Sequence, residues 1–175
     1  PTQAIHRNHV WTWDFLFDRT ENGGTLKMMT LLDEYTRQSL AIRVERQFTA
    51  TQVLQTLWRA MMLYGIPEHI RSDNGPEFIA QKVQKWLKDN AIKTIYIDPG
   101  SPWQNGYIES FHSRFRDECL DREVLLNLRE ARVVIEDWRQ HYNQKRPHSR
   151  LGYRSPEAFI EAERNAILSH KVDQF

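Results

Sequence analysis

This sequence has only one cysteine, no long apolar segment and almost no net charge. Cys119 is the only cysteine among 175 residues, so no disulfide can form within the chain, and we expect a reducing compartment. The longest apolar stretch, near Leu57, is broken by Arg59 and is far too short to cross a bilayer. The net charge is only +1, so composition alone does not indicate nucleic-acid binding, although clustered basic residues can still bind phosphate.

The start of the chain carries no basic segment followed by an apolar run, so we expect no secretory signal. It begins with proline rather than methionine, and we interpret it as a fragment with further domains missing. Residues 1–9 are predicted to be a solvated polar leader. His6 and His9 have a spacing typical of metal ligands, but one distant cysteine cannot complete a zinc site of the usual kind.

The remaining composition is that of a soluble globular protein, with 40% hydrophobic and 27% charged residues. The length predicts one domain with a substantial core. The order of predicted elements is β-β-β-α-β-α-β-α, which indicates an α/β fold with a five-stranded mixed sheet and helices on both faces. We divide the chain into a leader over 1–9, a core over 10–125, and a C-terminal helical extension over 126–175 that packs on the core.

The first half of the chain predicts an antiparallel meander followed by a helix. Aromatic residues alternate along 10–19, which predicts a strand with Asp14 on the face opposite to the aromatic side chains. Segments 25–32 and 38–46 are predicted to be the next two strands. Thr49 is predicted to open a helix that Gly65 ends.

The second half predicts alternating strands and helices around one long loop. Asp73 falls at the end of the fourth strand, and Asn74 with Gly75 is a turn signal. Residues 98–107 hold two prolines and two glycines and are predicted to be a mobile loop. The other predicted elements are a helix over 76–89, a strand over 92–97, and helices over 108–120, 129–142 and from Ser155 to about 168.

The predicted elements contain three candidate functional acids: Asp14, Asp73 and Glu109. A carboxylate at a strand end faces the side of an α/β sheet where ligands bind. Carboxylate oxygens suit Mg²⁺ or Mn²⁺, and two such ions, about 3.5–4 Å apart, catalyse phosphodiester displacement. In this scheme Asp14 bridges both ions, Asp73 and Glu109 each hold one, and water or a DNA 3′-hydroxyl attacks.

Each acid also has a plain structural interpretation. Asp14 can be a surface acid, although its strand is very hydrophobic; Asp73 can cap a turn or helix; Glu109 can be a solvated helix residue. The three together are more specific than any one of them. Asp18, Asp33 and Asp98 are weaker metal candidates, and Asp117 and Glu118 lie on other faces of the Glu109 helix.

The motifs around the acids resemble the catalytic core of DDE transposases and retroviral integrases. The resemblance rests on residues 11–15, 72–78 and 99–109, and on the 35 residues that separate Asp73 from Glu109. Residues 31–37, 142–148 and 151–153 resemble bacterial insertion-sequence transposases especially closely. The resemblance extends over roughly residues 8–165.

This resemblance implies a ribonuclease H-like fold with Asp14, Asp73 and Glu109 as ligands of two Mg²⁺ or Mn²⁺ ions. It implies a bacterial transposase domain, cytoplasmic and nucleoid-associated, that nicks DNA at element ends and transfers the 3′-hydroxyl to target DNA. The family's N-terminal helix-turn-helix part is absent, so that part or a companion protein is an expected partner. Joining two DNA ends requires at least a dimer.

Candidate DNA contacts lie in three places. Arg116, seven residues after Glu109, matches a basic position that the family is thought to use on terminal DNA, and His112 lies on the same helical stripe. The other candidates are Trp103, Gln104 and Asn105 in the loop, and Lys145, Arg146, His148, Arg150 and Arg154 in a basic segment. That segment can instead be a solvated loop or a linker whose arginines pair with acids, and Trp103 can simply pack under its loop.

Three other functions are compatible with parts of the pattern. A ribonuclease H-like nuclease would hydrolyse DNA without joining it, and a retained DNA-binding or assembly module would lack catalysis. The spacing and the 99–109 motif count against the first, and the intact acids against the second. Paired carboxylates also occur in glycosidases, but the surrounding motifs make that remote.

Overall fold

The computed structural model describes residues 3–73 and 78–174 and contains the predicted five-stranded mixed sheet. The spatial order of the strands is β3-β2-β1-β4-β5. Strands β1 to β3 form the antiparallel meander, whereas β4 and β5 run parallel to β1. The strands are β1 (Val10–Arg19), β2 (Thr25–Asp33), β3 (Ser39–Glu45), β4 (His69–Asp73) and β5 (Lys93–Ile97).

Helices cover both faces of the sheet, as the element order predicts. The helices are α1 (Ala50–Tyr64), α2 (Phe78–Asp89), α3 (Gly106–Phe115), α4 (Leu128–Lys145) and α5 (Pro156–Val172). Their predicted N-terminal signals are confirmed: Thr49 forms a capping box with Gln52, and Ser155 caps α5 ahead of Pro156. Within the described part of the chain, no helix is long and apolar enough to cross a membrane.

Strand β1 lies at the centre of the sheet because side chains on both of its faces are buried. Trp11 and Trp13 pack in a core with α1 and α2, which confirms the predicted aromatic face. Leu16 packs against the second core, which includes Phe111 and Phe115 of α3 and residues of α4. Asp14 therefore belongs to the face of β1 that α3 covers.

Two predicted boundaries differ from the structure. The segment predicted as a loop over 98–107 contains a 3₁₀ turn, Pro102–Asn105, and its last two residues already belong to α3. Helix α4 continues to Lys145 instead of ending at 142, because Asn143 is buried and its amide bonds both the N–H (2.8 Å) and the C=O (2.9 Å) of Ser39. Local periodicity cannot reveal this partner, which lies 104 positions away.

Smaller differences affect two further helices. After α3 the chain makes a π-helical turn over Arg116–Leu120, so the predicted helix to residue 120 is continuous but not α-helical throughout. Helix α5 extends to Val172, beyond the predicted end near 168. The predicted Asn74–Gly75 turn and the predicted start of α2 at Pro76 lie outside the described residues.

Candidate active site and nucleic-acid interface

Asp14 and Asp73 lie at the same level of two adjacent parallel strands. The last paired residues of β1 and β4 are Thr12 and Arg71, and each acid is two residues further along its strand. Because side chains alternate along a strand, both carboxylates belong to one face of the sheet. Asp14 is half-buried and Asp73 is exposed at the carboxyl end of β4.

The charges of Asp73 and Glu109 reach Asp14. Desolvation by burial is the main cause that raises the pKa of Asp14 to about 6. The N–H of Phe15, which donates to Oδ1 of Asp14 at 2.8 Å, opposes this rise, and the negative charges of Asp73 and Glu109 add to it. The structure thus brings the three sequence-predicted acids into electrostatic contact across β1, β4 and α3.

The oxygen donors of this triad suit a hard divalent cation, and its accumulated negative charge suits one too. The residues present therefore fit Mg²⁺ or Mn²⁺.

Helix α3 is fixed against the strands at Glu109 by apolar and polar contacts. Ile108 and Phe111, on either side of Glu109 along the helix, are buried, as predicted from their spacing. One turn beyond Glu109, Nε2 of His112 lies 2.6 Å from Oγ1 of Thr30, whose hydroxyl donates to the C=O of Asp14 at 3.2 Å. Glu109 itself remains exposed to solvent.

His112 is neutral near pH 7. Burial lowers its pKa to about 4, and the nearby charge of Arg116 lowers it further. Since Thr30 uses its single hydroxyl proton on Asp14, the ring nitrogen facing Thr30 is the donor of that hydrogen bond. The contact gives His112 a positioning role between α3 and the strand pair that carries Asp14.

Hydrogen bonds connect the 3₁₀ turn before α3 to Asp98, which follows β5, and to Thr12 of β1. Asp98 and Gln104 form a reciprocal pair, in which the Asp98 N–H donates to Oε1 at 2.9 Å and the Gln104 amide donates to Oδ2 at 3.0 Å. Asn105 is buried and accepts the hydroxyl of Thr12 at 3.0 Å. Trp103, which precedes Gln104, is 73% exposed, so it does not pack under the loop.

Two acids near the site have structural partners. Asp33 is buried and accepts the backbone N–H groups of Asn8, Tyr35 and Thr36. Glu34 forms a buried ion pair with Arg71 at 2.7 Å, although burial raises the pKa of its carboxyl group. This pair links the β2–β3 turn to β4 two residues before Asp73.

A groove of about 510 Å³ is lined partly by α3, including Ser110, which follows Glu109 in the chain. It combines predicted residues from two distant segments: Trp103 and Gln104 from the loop, and His148 and Arg150 from the basic segment. Arg37 and Arg114 also line it, and no described residue of the lining is acidic. We call this surface, with its three arginines at 37, 114 and 150, the basic groove.

Sequence reasoning missed Arg37 and Arg114 as candidates for phosphate contact. Arg37 lies over the ring of Tyr107 at 4.0 Å and donates to the C=O of Glu34 at 2.7 Å. Arg114 is off the helical stripe of Glu109, so spacing alone gave no reason to select it. The sequence signal that could have identified Arg37 is the 31–37 motif, which contains it.

The remaining predicted DNA contacts differ in their surroundings. Arg146 is paired with Glu118 at 2.7 Å, as the linker interpretation of the segment expects. His148 is buried, and desolvation, with the charges of Arg146, Arg114 and Arg37, lowers its pKa to about 4. Arg116 donates to the C=O of Phe17 at 3.1 Å. The side chains of residues 145, 150 and 154 are exposed.

Comparison with known proteins gives consistent matches along most of the chain. Residues 5–102 match one family described as integrase core domain, and residues 90–156 match a second of the same description. A 39.2 kDa protein of insertion element IS476 from Xanthomonas euvesicatoria is 43% identical over 165 residues, which cover 94% of this chain and 48% of that protein.

Two further relatives are similar over comparable lengths. A 31.7 kDa protein of IS407 from Burkholderia multivorans is 40% identical over 157 residues, covering 90% of this chain and 57% of its own. A transposase for IS904 from Lactococcus lactis is 26% identical over 162 residues, covering 90% and 63%. The chain thus spans about half the length of the first two of these relatives.

Solved structures share the fold at low sequence identity. The catalytic core domain of BIV integrase has a TM-score of 0.65 at 21% identity, covering 91% of this chain and 99% of that one. The HTLV-2 integrase catalytic core domain in complex with magnesium, in its dimeric form, has a TM-score of 0.57 at 19% identity, covering 85% and 92%. The predicted ribonuclease H-like fold is therefore confirmed.

Proposed function

The chain belongs to the integrase core domain family, and from that premise we propose that it is the catalytic domain of a bacterial insertion-sequence transposase. The proposed reaction is metal-dependent cleavage of DNA at the element ends, followed by transfer of the 3′-hydroxyl to a phosphate of target DNA. The observation that carries the proposal is the convergence of Asp14, Asp73 and Glu109, whose charges interact between the sheet and α3.

The three acids are the proposed ligands of two Mg²⁺ or Mn²⁺ ions. When bound, such ions activate the attacking oxygen and stabilise the leaving oxygen of phosphodiester displacement. Asp14 would contact both ions, while Asp73 and Glu109 would each hold one. Burial is the main cause that raises the pKa of Asp14, and the negative charges of Asp73 and Glu109 add to the rise. That added charge supports this assignment, because a cation relieves it.

The basic groove is the proposed path of the DNA strand whose reacting phosphate is bound at the three acids. Arg37, Arg114 and Arg150 would contact phosphates and supply the salt-dependent part of the affinity. Trp103, which is largely exposed, would stack on an unpaired base near the reacting end. Neutral His148 and buried Asn105 would position the groove rather than contribute charge.

The chain covers 48% of the IS476 protein and 57% of the IS407 protein, so we assign recognition of the element's end sequences to protein outside this chain or to a companion protein. Since transposition joins two DNA ends, the active complex would contain at least two copies. Its site of action would be the bacterial nucleoid in the cytoplasm.

A strand-joining assay tests this proposal. The chain is incubated with Mn²⁺, a labelled DNA that ends in a 3′-hydroxyl, and a plasmid target, and joined products are separated on a denaturing gel. We expect metal-dependent joined products that disappear in Asp73→Asn and Glu109→Gln, with Glu161→Gln as a carboxyl-to-amide control on the exposed side of α5.

The other outcomes distinguish the alternatives. Shortened DNA without joined product would support a nuclease that hydrolyses only. DNA binding without any metal-dependent product, from parent and variants alike, would support a noncatalytic module. Joining that persists in both acid variants would contradict the assignment of the triad.

A further inference from the structure

His6, His9 and Glu68 form a second group of potential metal ligands, separate from the acids. Nε2 of His6 lies 3.1 Å from Oε1 of Glu68, and Nε2 of His9 lies 3.7 Å from Oε2 of the same carboxylate. The two imidazole rings stack with centroids 4.7 Å apart. Among the described residues, this is the group of three whose ligand atoms all lie within 4.8 Å of one another.

The hydrogen bonding of His6 gives its ring the orientation of a metal ligand. Nδ1 of His6 lies 2.8 Å from the C=O of Arg7, and a carbonyl can only accept, so Nδ1 carries the proton. The lone pair of Nε2 in the neutral ring then faces a carboxylate oxygen. That arrangement is repulsive unless a cation, either a proton or a metal ion, lies between them. Metal-bound histidines commonly donate their other ring N–H to a carbonyl in this way.

His9 completes the group from a more buried position. Its side chain is 12% exposed, whereas those of His6 and Glu68 are 50% and 56% exposed, so an ion can enter from solvent on their side. Nδ1 of His9 accepts the exposed N–H of Ile5 at 3.2 Å. When Nε2 of His9 coordinates an ion, the proton of the neutral ring lies on Nδ1. The N–H of Ile5 then hydrogen-bonds water instead of Nδ1.

The backbone holds these ligands in place before any ion binds. The N–H of Glu68 donates to the C=O of Asn8 at 3.0 Å, and the N–H of His69 donates to the C=O of His9 at 3.0 Å. The N–H of Asn8 in turn donates to buried Asp33 at 2.9 Å. Residues 8–9 are therefore hydrogen-bonded to Glu68 and His69, and the predicted solvated leader is attached to the core here.

The donor set selects a different metal from the acids. Two imidazoles and one carboxylate suit Zn²⁺ and its neighbours Co²⁺ and Ni²⁺, not Mg²⁺. Bonds of about 2.0–2.2 Å in a tetrahedral site place two ligand atoms about 3.4 Å apart. The nitrogens of His6 and His9 lie 3.1 and 3.7 Å from different oxygens of Glu68, and one ligand atom from each residue lies within 4.8 Å of the other two, so small side-chain adjustments reach this geometry. The fourth position would be filled by water.

We propose that His6, His9 and Glu68 form a zinc-class metal site that clasps the segment before β1 to the segment before β4. Glu68 precedes Asp73 by five residues, which is about 16 Å along a strand. The site therefore lies at the opposite end of β4 from the acids and is distinct from their proposed Mg²⁺ or Mn²⁺ site. The proposal does not depend on the proposed function.

Co²⁺ absorption and Zn²⁺ calorimetry on the full, untagged, chelator-treated chain test this site. We expect one saturable site per chain with the visible bands of tetrahedral Co²⁺, whereas Co²⁺ on the all-oxygen acids would be octahedral. His6→Asn and Glu68→Gln should each weaken binding about tenfold or more, since loss of even an outer-shell partner commonly has that effect. His141→Asn removes an exposed histidine outside the group and should bind as the parent does.

Thermal unfolding separates metal binding from a folding defect. At one Zn²⁺ concentration, Zn²⁺ should raise the Tm of the parent and of His141→Asn by more than that of Glu68→Gln, because the stabilisation falls as the affinity of the site falls. Absence of a saturable site in the folded parent would overturn the proposal and leave an imidazolium–carboxylate ion pair. Equal losses of affinity in His141→Asn and His6→Asn would also overturn it.

Discussion

Thr30 Oγ1 lies 2.6 Å from Nε2 of His112, and this bond joins the helix that carries Glu109 to the strand beside Asp14. Thr30 pairs directly with Asp14 across β1 and β2 and also donates to its carbonyl oxygen. Two of the three acids are thus positioned through one buried hydroxyl. The third, Asp73, is positioned separately by the parallel pairing of β1 with β4.

Replacing Thr30 by valine should lower the free energy of unfolding by about 1–3 kcal/mol, because the His112 N–H is then left without its acceptor. Thr30→Ser keeps the hydroxyl and should cost much less than Thr30→Val. Urea unfolding followed by tryptophan fluorescence measures both. Equal stability of the two variants would show that the hydroxyl does not hold α3 in place.

Arg150→Gln should weaken binding to single-stranded DNA and reduce the slope of log K against log salt concentration by about 0.7, the value for one phosphate contact. Arg150 is exposed and lines the basic groove. Arg129→Gln makes the same charge change on the exposed surface of α4, outside the groove lining. If both variants change the slope equally, DNA contacts are not confined to the groove.

His148 should make the protein less stable in acid. Its pKa is lowered to about 4 in the folded chain, while the unfolded value is about 6.5. Between these values the unfolded state binds more protons, so stability falls as pH decreases from about 6.5 to 4, by up to about 3 kcal/mol. Unfolding of the parent and of His148→Gln across this range measures the difference. Parallel pH profiles would contradict the assignment.

Local sequence patterns predicted the elements whose signals are local. The alternating aromatics of β1, the Thr49 capping box and the inward face of α3 follow from side-chain periodicity and from caps within a few residues. The strand-end position of Asp73 follows from the turn signals beside it. These features depend on short-range geometry, which one sequence specifies well.

Features made by distant segments could not be predicted in this way. The extra turn of α4 depends on Asn143 bonding Ser39, and the basic groove depends on Arg37 and Arg114 meeting residues after His148. His6 and His9 lacked a third ligand in the sequence reading because Glu68 comes from the segment before β4. In each case the partner is fixed by sheet topology, which no local pattern contains.

Calorimetric titration of the chain with Mn²⁺ tests whether Asp14, Asp73 and Glu109 form the metal site. Binding should be lost in both Asp73→Asn and Glu109→Gln, because their carboxylates belong to one site. Glu68→Gln should bind Mn²⁺ as the parent does, since it removes a carboxylate from the other end of β4. If Asp73→Asn and Glu109→Gln bind Mn²⁺ with the affinity of the parent, the three acids are not the metal site and the proposed chemistry is wrong.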